Sequence, residues 1–365
     1  MFRTMVESDL DFVLSCLTEP SVNTTTAERF VAYLDSGSYR PAWTWLAFDG
    51  DAPVGLAVWW GFPDGERPLA LDCLWAAPGV ADPVPMWAGL IRQVPPPAEY
   101  HIFTQPDRRD DPQITTRLAA AAEAGLTTVT ERFRYEWTSA QPLPERSTRL
   151  TFRPASDEEF VDAFEQISVD SLDVATRSGV ARIGAHAQAL EDVDDYKSMR
   201  GPREWWRLAY DNSGALVGCA LPSANDGGPV VGYVGVLPSQ RGHHYADDLL
   251  SEITWMITEA EAEAEAEAEA EADTGAYADA GAGADVDADA AGDAEAEADT
   301  AAGAHAGAGA DVGTEAAAAG GAEADVVIAL GAVTIRADTD STNAPMVASF
   351  ERLGYRRFAL RVVAS

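Results

Sequence analysis

Seven consecutive residues, Gln240-Arg241-Gly242-His243-His244-Tyr245-Ala246, carry the chemistry most easily read from this chain. Arg241 supplies a permanent cation, and His243 and His244 supply two imidazoles. Gly242 lets the backbone bend and approach a ligand closely. Two adjacent histidines without further ligands make a poor metal site, so no metal is expected. Just upstream, residues 230–236 (VVGYVGV) are β-branched, aromatic or glycine and carry no charge, which predicts a buried strand. Pro238 ends it, because proline cannot donate to a ladder. Just downstream, Leu249, Leu250, Ile253, Met256 and Ile257 recur at helical spacing. Strand, tight basic turn and helix aim several backbone N–H groups and the positive end of a helix dipole at one point. Such a point suits a phosphate. An ordinary strand-to-helix turn would have the same outline, and this stretch alone leaves both readings open.

The elements that position such a turn must come from a chain of 365 residues, enough for about two domains. The formal net charge is −35, unevenly placed. Residues 259–325 hold about twenty acidic side chains and no Lys or Arg, which leaves about −15 on the remainder. Nucleic-acid binding needs a basic footprint and is disfavoured. Cys16, Cys73 and Cys219 are few, odd in number and far apart, as expected of free thiols in a reducing compartment. The first residues lack a signal-peptide pattern, and no apolar run has the length of a membrane span. The expectation is a cytoplasmic protein.

The chain repeats itself. FRTMVESDLDFV from Phe2 matches TFRPASDEEFV from Thr151. LAFDGDAPVGLAV from Leu46 matches LAYDNSGALVGCA from Leu208, the latter pair at an offset of about 162. The Pro78 turn matches the Pro238 turn at about 160. Removing an acidic segment of about 67 residues, 259–325, restores the same offset to the C-terminal region. Two copies of one fold follow, over residues 1–145 and 148–365, joined by a Pro-bearing linker at 139–147. The first copy keeps Pro78 but has no Arg-Gly turn, so it is read as degenerate. The segment 259–325 opens as (Glu-Ala)n, which favours helix for a few turns. From Asp273 onward Gly and Asp dominate, and disorder is expected.

The strand and turn together resemble the Gcn5-related N-acetyltransferases. In that family a V-x-P strand end is followed by R/Q-x-x-G-x-G/A, which holds the pyrophosphate of coenzyme A. Val236-Leu237-Pro238 fits the first part, and Arg241 to Ala246 fits R-x-x-G-x-A, with His244 where the family has Gly. Asn343, Glu351, Leu353, Gly354 and Tyr355 are similar to a second family pattern, N-x-x-A-x-x-L-Y-E-x-L-G-F. The resemblance implies an α/β fold of two tandem domains, each a mixed, mostly antiparallel sheet flanked by helices. It implies acetyl-CoA as co-substrate and a small-molecule amine as acceptor. Val234, Gly235 and Val236 would pair with the pantetheine amides as an added strand does. Arg241, Gly242, His243, His244, Tyr245 and Ala246 would hold the phosphates. Asn343 either reaches the pantetheine arm or caps the following helix.

Amine acetylation also needs a base for the ammonium proton and an acid for the thiolate. Family members often carry a Glu near the position of Val230 and a Tyr at that of Phe350, and this chain has neither. Tyr233 and Tyr245 are the substitutes proposed for catalysis, with Asp226 and Glu204 behind them. A coenzyme-A-binding sensor or scaffold without catalysis is the alternative.

Overall fold

The structure, a computed structural model, describes residues 1–17, 22–23, 25–96, 98–225, 227–279 and 333–365. The first half runs β1 (Phe2–Thr4), α1 (Leu10–Cys16), α2 (Ala27–Ser36), β2 (Thr44–Asp49), β3 (Ala52–Trp60), β4 (Ala70–Ala76), α3 (Val84–Ile91), β5 (Glu99–Thr104), α4 (Pro112–Ala124) and β6 (Val129–Thr138). The second half repeats the order with one more helix before its second strand: β7 (Leu150–Arg153), α5 (Asp157–Ser168), α6 (Val174–Ile183), α7 (Ala185–Ser198), β8 (Arg207–Asp211), β9 (Leu216–Asn225), β10 (Gly228–Val236), α8 (Tyr245–Asp279), β11 (Thr334–Asp340), α9 (Ala344–Arg352) and β12 (Arg356–Ala364). Local chemistry sets these boundaries. Ser156 and Glu159 form a reciprocal capping box that starts α5. Asp211 accepts from the N–H groups of Ser213 and Ala215 and closes the β8–β9 hairpin.

All twelve strands join one mixed sheet in the order β1-β2-β3-β4-β5-β12-β6-β11-β10-β9-β8-β7. Each half has exchanged its last strand with the other. The C-terminal β12 pairs with β5, from Leu360↔Thr104 to Ala364↔Tyr100. In return β6 pairs with β11, from Thr334↔Thr138 to Asp340↔Arg132. The two exchanged strands pair with each other at the centre. The cores follow the exchange: Tyr135 and Trp137 of β6 pack with Leu249, Leu250, Ile253 and Phe350 of the second half. Leu360 and Val362 of β12 pack with Ile114 and Ala120 of the first. A cut between residues 145 and 148 therefore divides the sequence repeat but not the sheet.

Four local expectations need amendment. The run Asp338-Thr339-Asp340-Ser341-Thr342-Asn343 is polar enough to suggest a loop, yet strand β11 extends through Asp340; Asp338 is held there by Arg134 at 3.3 Å and Arg361 at 2.9 Å. Helix α2, with Phe30 on its buried face, is an element that the sequence reading leaves unassigned. The linker is packed rather than loose: Pro144 O accepts from Trp255 Nε1 at 2.8 Å, and Arg146 meets Glu252 and Glu259 on α8. Helix α8 continues through the Glu-Ala repeat and past Asp273 to Asp279. The rest of the expected insert, residues 280–325, lies outside the described residues.

Candidate functional site

The site begins where two strands part. Strands β10 and β11 are parallel and share one register pair, Val230↔Arg336. Beyond it they diverge, while β10 stays paired with β9 as far as Val236↔Gly218. A register shift between Val231 and Tyr233 marks a bulge there, a device that re-aims backbone groups. The β11-facing edge of residues 231–236 is thus without a strand partner among the described residues. A cavity of about 540 Å³ opens against it. Gly235 is needed for space, because a Cβ there would lie 2.7 Å from the Tyr233 ring and 2.8 Å from Ile167.

At the end of β10 a short 3-10 turn, Pro238–Gln240, leads into the Arg241–His244 loop. Gly242 has φ +84° with open space around it, so conformation and not crowding calls for glycine. His244 also sits in the left-handed region, at φ +60°. It keeps the backbone shape that glycine would give, at the cost of some strain. Helix α8 starts directly after it; Asp247 N donates back to His244 O at 3.1 Å, and the N–H groups of Tyr245 and Ala246 precede the first possible intrahelical bond.

The cavity gathers Tyr233, Val234, Gly235, Val236, Arg241, Gly242, His244, Tyr245, Ala246 and Asn343 on one lining. His243 is not on it: its ring is 5.9 Å from that of Tyr245, and its carbonyl accepts from Arg149. The guanidinium of Arg241 donates to the carbonyls of Val236, Ile167 and Asp170 at 2.8–3.2 Å. It clamps the end of α5 to the turn, and the phosphate-facing donors are chiefly backbone. Asn343 caps α9, its Oδ1 accepting from Met346 N at 3.4 Å, while still lining the cavity. Glu204 is exposed and outside the lining, and Asp226 lies outside the described residues.

Tyr233 packs against Phe164 (centroids 4.5 Å) and Tyr196 (5.7 Å). Burial pushes its phenol well above the ordinary value, so it stays protonated and cannot serve as a base. Phe350 is buried against Tyr135 at 4.9 Å, and Tyr135 comes from the exchanged strand β6. Residues not foreseen from the sequence complete the wall. Asp192 and Asp195 of α7 line the cavity, and burial raises both carboxyls to about 6. Arg132 reaches the lining from β6 and lies 3.7–4.0 Å from Asp173, Asp338 and Asp340. The i, i+3 spacing of Asp192 and Asp195 was a readable signal, whereas Arg132 depends on the strand exchange. No group of three His, Cys, Asp or Glu among the described residues is placed to hold a metal. No helix among them is long and apolar enough to cross a membrane.

The first half has the same parting of strands, with β4 and β5 parallel at Ala70↔Glu99 and Leu71↔Tyr100. There the protein's own side chains meet the edge. Leu74 N donates to Asn23 Oδ1 at 3.2 Å, Leu74 O accepts from Arg117 at 3.0 Å, and Trp75 O accepts from Trp87 Nε1 at 3.0 Å.

The fold is two tandem α/β halves sharing one mixed sheet, with one cleft open and one filled by the protein's own side chains. No family model matches the chain, and no curated protein does so. Among solved structures it is similar to a Gcn5-related N-acetyltransferase from Sphaerobacter thermophilus, at 16% identity and TM-score 0.45, covering 100% of this chain and 94% of that one. It is also similar to a tandem protein of this kind from the clavulanic acid biosynthesis pathway, at 14% identity and TM-score 0.43, covering 100% and 98%. An acetyltransferase from Colwellia psychrerythraea is similar at 12% identity and TM-score 0.41, covering 100% and 98%.

Proposed function

We propose that the protein transfers an acetyl group from acetyl-CoA to the amine of a small molecule, in the cleft of residues 148–365. One observation carries this reading: the unpaired edge of residues 231–236 opens into a cavity that ends at the Gly242–His244 turn and the start of α8. An amide-bearing arm can add to that edge as a further strand. A diphosphate can sit on the N–H groups of the turn. Bound acetyl-CoA would supply an activated acyl group beside the strand. The chain's own part is to orient the thioester carbonyl on backbone N–H groups near the bulge and to exclude water. Tyr233 and Tyr245 line the same cavity. As a neutral phenol, Tyr233 can donate a proton to a departing thiolate.

The second reading, coenzyme A binding without catalysis, draws its support from Phe350. It is 1% exposed and stacked, and it occupies the position where the family resemblance leads one to seek a phenol. Calorimetric titration of the full chain with acetyl-CoA, followed by thiol-release assays across an amine library, decides between them. Binding with turnover supports transfer. Binding without turnover on any amine supports the sensor, and no binding removes both.

A further inference from the structure

Three arginines line the cavity, and each is engaged. Arg241 holds the carbonyls of Val236, Ile167 and Asp170. Arg352 forms a two-bond pair with Asp247 at 2.7 and 2.8 Å. Arg132 lies within ion-pair reach of Asp173, Asp338 and Asp340. The carboxylates of the opposite wall are also partnered, with one exception. Asp173 accepts from Thr176 and Asp192 from Gln188 Nε2 at 2.7 Å, while Asp338 is ion-paired with Arg361 at 2.9 Å and Arg134 at 3.3 Å. Asp195 lines the cavity, half-buried, and among the described residues no hydrogen bond or ion pair reaches its side chain.

We propose that Asp195 is the catalytic base of the proposed transfer, anchoring the acceptor as an ammonium ion, and that Asp192 beside it selects amines that carry no carboxylate of their own. The inference rests on the acetyl-CoA reading above.

The surroundings leave this role vacant. On α7, Glu191 is paired with Arg182 and Lys197 with Asp157 of α5, so neither cation serves Asp195. Asp194 on the same helix points to solvent, 3.9 Å from Lys197. Strand β10 presents only the neutral phenol of Tyr233, and β6 presents Arg132, already among three carboxylates. An arriving ammonium therefore meets carboxylates beside Tyr196 and Tyr233, whose aromatic faces also favour a cation. A substrate carboxylate would meet like charge and no unengaged cation. Burial and the nearby Asp192 hold Asp195 close to the pH at which a base works best.

The step balances. Of the three ammonium protons, one passes to Asp195 and on to water before attack. The neutral nitrogen then forms the C–N bond as the C–S bond breaks. A second proton leaves nitrogen and replaces the one that the Tyr233 phenol gives to the departing thiolate, so Tyr233 ends neutral, and the third remains on the amide.

The test uses the full chain with saturating acetyl-CoA and 2-phenylethylamine, with phenylalanine as the carboxylated counterpart. Wild type should prefer 2-phenylethylamine by at least about 100-fold in kcat/KM. Asp195→Asn should lower kcat/KM at least about 100-fold and abolish the acid limb of its pH profile near 6, leaving acetyl-CoA affinity unchanged. Asp194→Asn should stay within about twofold of wild type. Carboxyl NMR of the acetyl-CoA complex should show the Asp195 resonance titrating at lower pH when 2-phenylethylammonium is added. An Asp195→Asn enzyme within threefold of wild type, or an Asp195 resonance that ignores the amine, overturns the inference. If acetyl-CoA itself does not bind, the parent reading has failed instead.

Discussion

The two clefts of this protein start from the same backbone event and end differently. In both halves a pair of parallel strands parts after one or two register pairs. By the repeat offset, Leu74 and Trp75 correspond to Val234 and Gly235. In the first half Asn23, Arg117 and Trp87 take up the exposed N–H and C=O groups. In the second half the same edge faces a cavity. Buried backbone polar groups have to find partners, so a splayed strand pair must be satisfied by side chains, by water or by a ligand. In the first half the protein's own side chains satisfy the edge, and in the second the edge borders an open cavity. The exchange of β6 and β12 then makes the filled half indispensable, since it supplies the sheet edge and Tyr135 beneath the open one.

The largest effect expected from this contrast is on the isolated second half. Residues 148–365 without β6 leave β11 unpaired on one side and expose the cluster around Leu250 and Phe350. That fragment should be unfolded or oligomeric by sedimentation; a folded monomer would show that the exchange is dispensable. Next in size is the turn. Gly242→Pro forces φ negative where +84° is needed and removes an N–H. It should weaken acetyl-CoA binding at least about 100-fold by calorimetry, and Gly79→Pro beside Pro78 in the first-half turn should leave binding unchanged. Binding should saturate at one acetyl-CoA per chain. Arg117→Met should lower stability by about 2–3 kcal/mol in urea titration, because it strands a buried carbonyl, yet should not create a second binding event.

Much of this was legible in the residues. The uncharged VVGYVGV strand, Pro238, Gly242 and the Leu249–Leu250 helix specify local geometry, and local geometry is what spacing encodes. The repeat offset recovered the order of elements in both halves. Strand exchange was not legible, because β6 and β12 have the same alternating pattern whether they pair within a half or across it. Nor was the engagement of Arg241: a guanidinium in a turn reads as a phosphate ligand until its carbonyl partners on α5 are placed. Asp192 and Asp195 lay in a polar stretch whose helical phase was not resolved, so their shared face towards the cavity went unseen. The plug in the first half needed three residues from three elements, and none of Asn23, Trp87 or Arg117 carries a local signal.

A smaller effect sharpens the contrast through pH. Asp192 and Asp195 have folded values raised to about 6 from an ordinary 3.8, mainly by burial. Between those values the native state binds more protons than the unfolded one. Stability is thus greatest at or below about pH 4, falls as pH rises to about 6, and is level above it. Each Asn variant removes this penalty. Asp192→Asn or Asp195→Asn should raise the unfolding free energy at pH 7.5 by about 1 kcal/mol once solvent screening is allowed for, and change it little at pH 4, as read by urea titration. A loss of stability at pH 7.5 would mean that the carboxylates hold the fold together and are no vacancy awaiting a cation.

The smallest effect concerns His244. The first-half turn at Pro78 has no residue with positive φ, whereas the second-half turn has two in three, Gly242 and His244. A histidine in the left-handed region carries a cost of about 1 kcal/mol that glycine avoids, offset in part by the greater entropy of an unfolded glycine. His244→Gly should therefore stabilise the free protein by no more than about 0.5 kcal/mol in urea titration. Its effect on affinity runs the other way if the imidazole is retained for a ligand. With Arg241 engaged by three carbonyls, His244 is the remaining side chain of the turn that lines the cavity and can offer a donor to a diphosphate. Acetyl-CoA binding by the Gly variant should weaken severalfold. Tighter binding at every pH would make His244 an obstruction, move this turn towards the condition of its filled counterpart, and favour the sensor over the transferase.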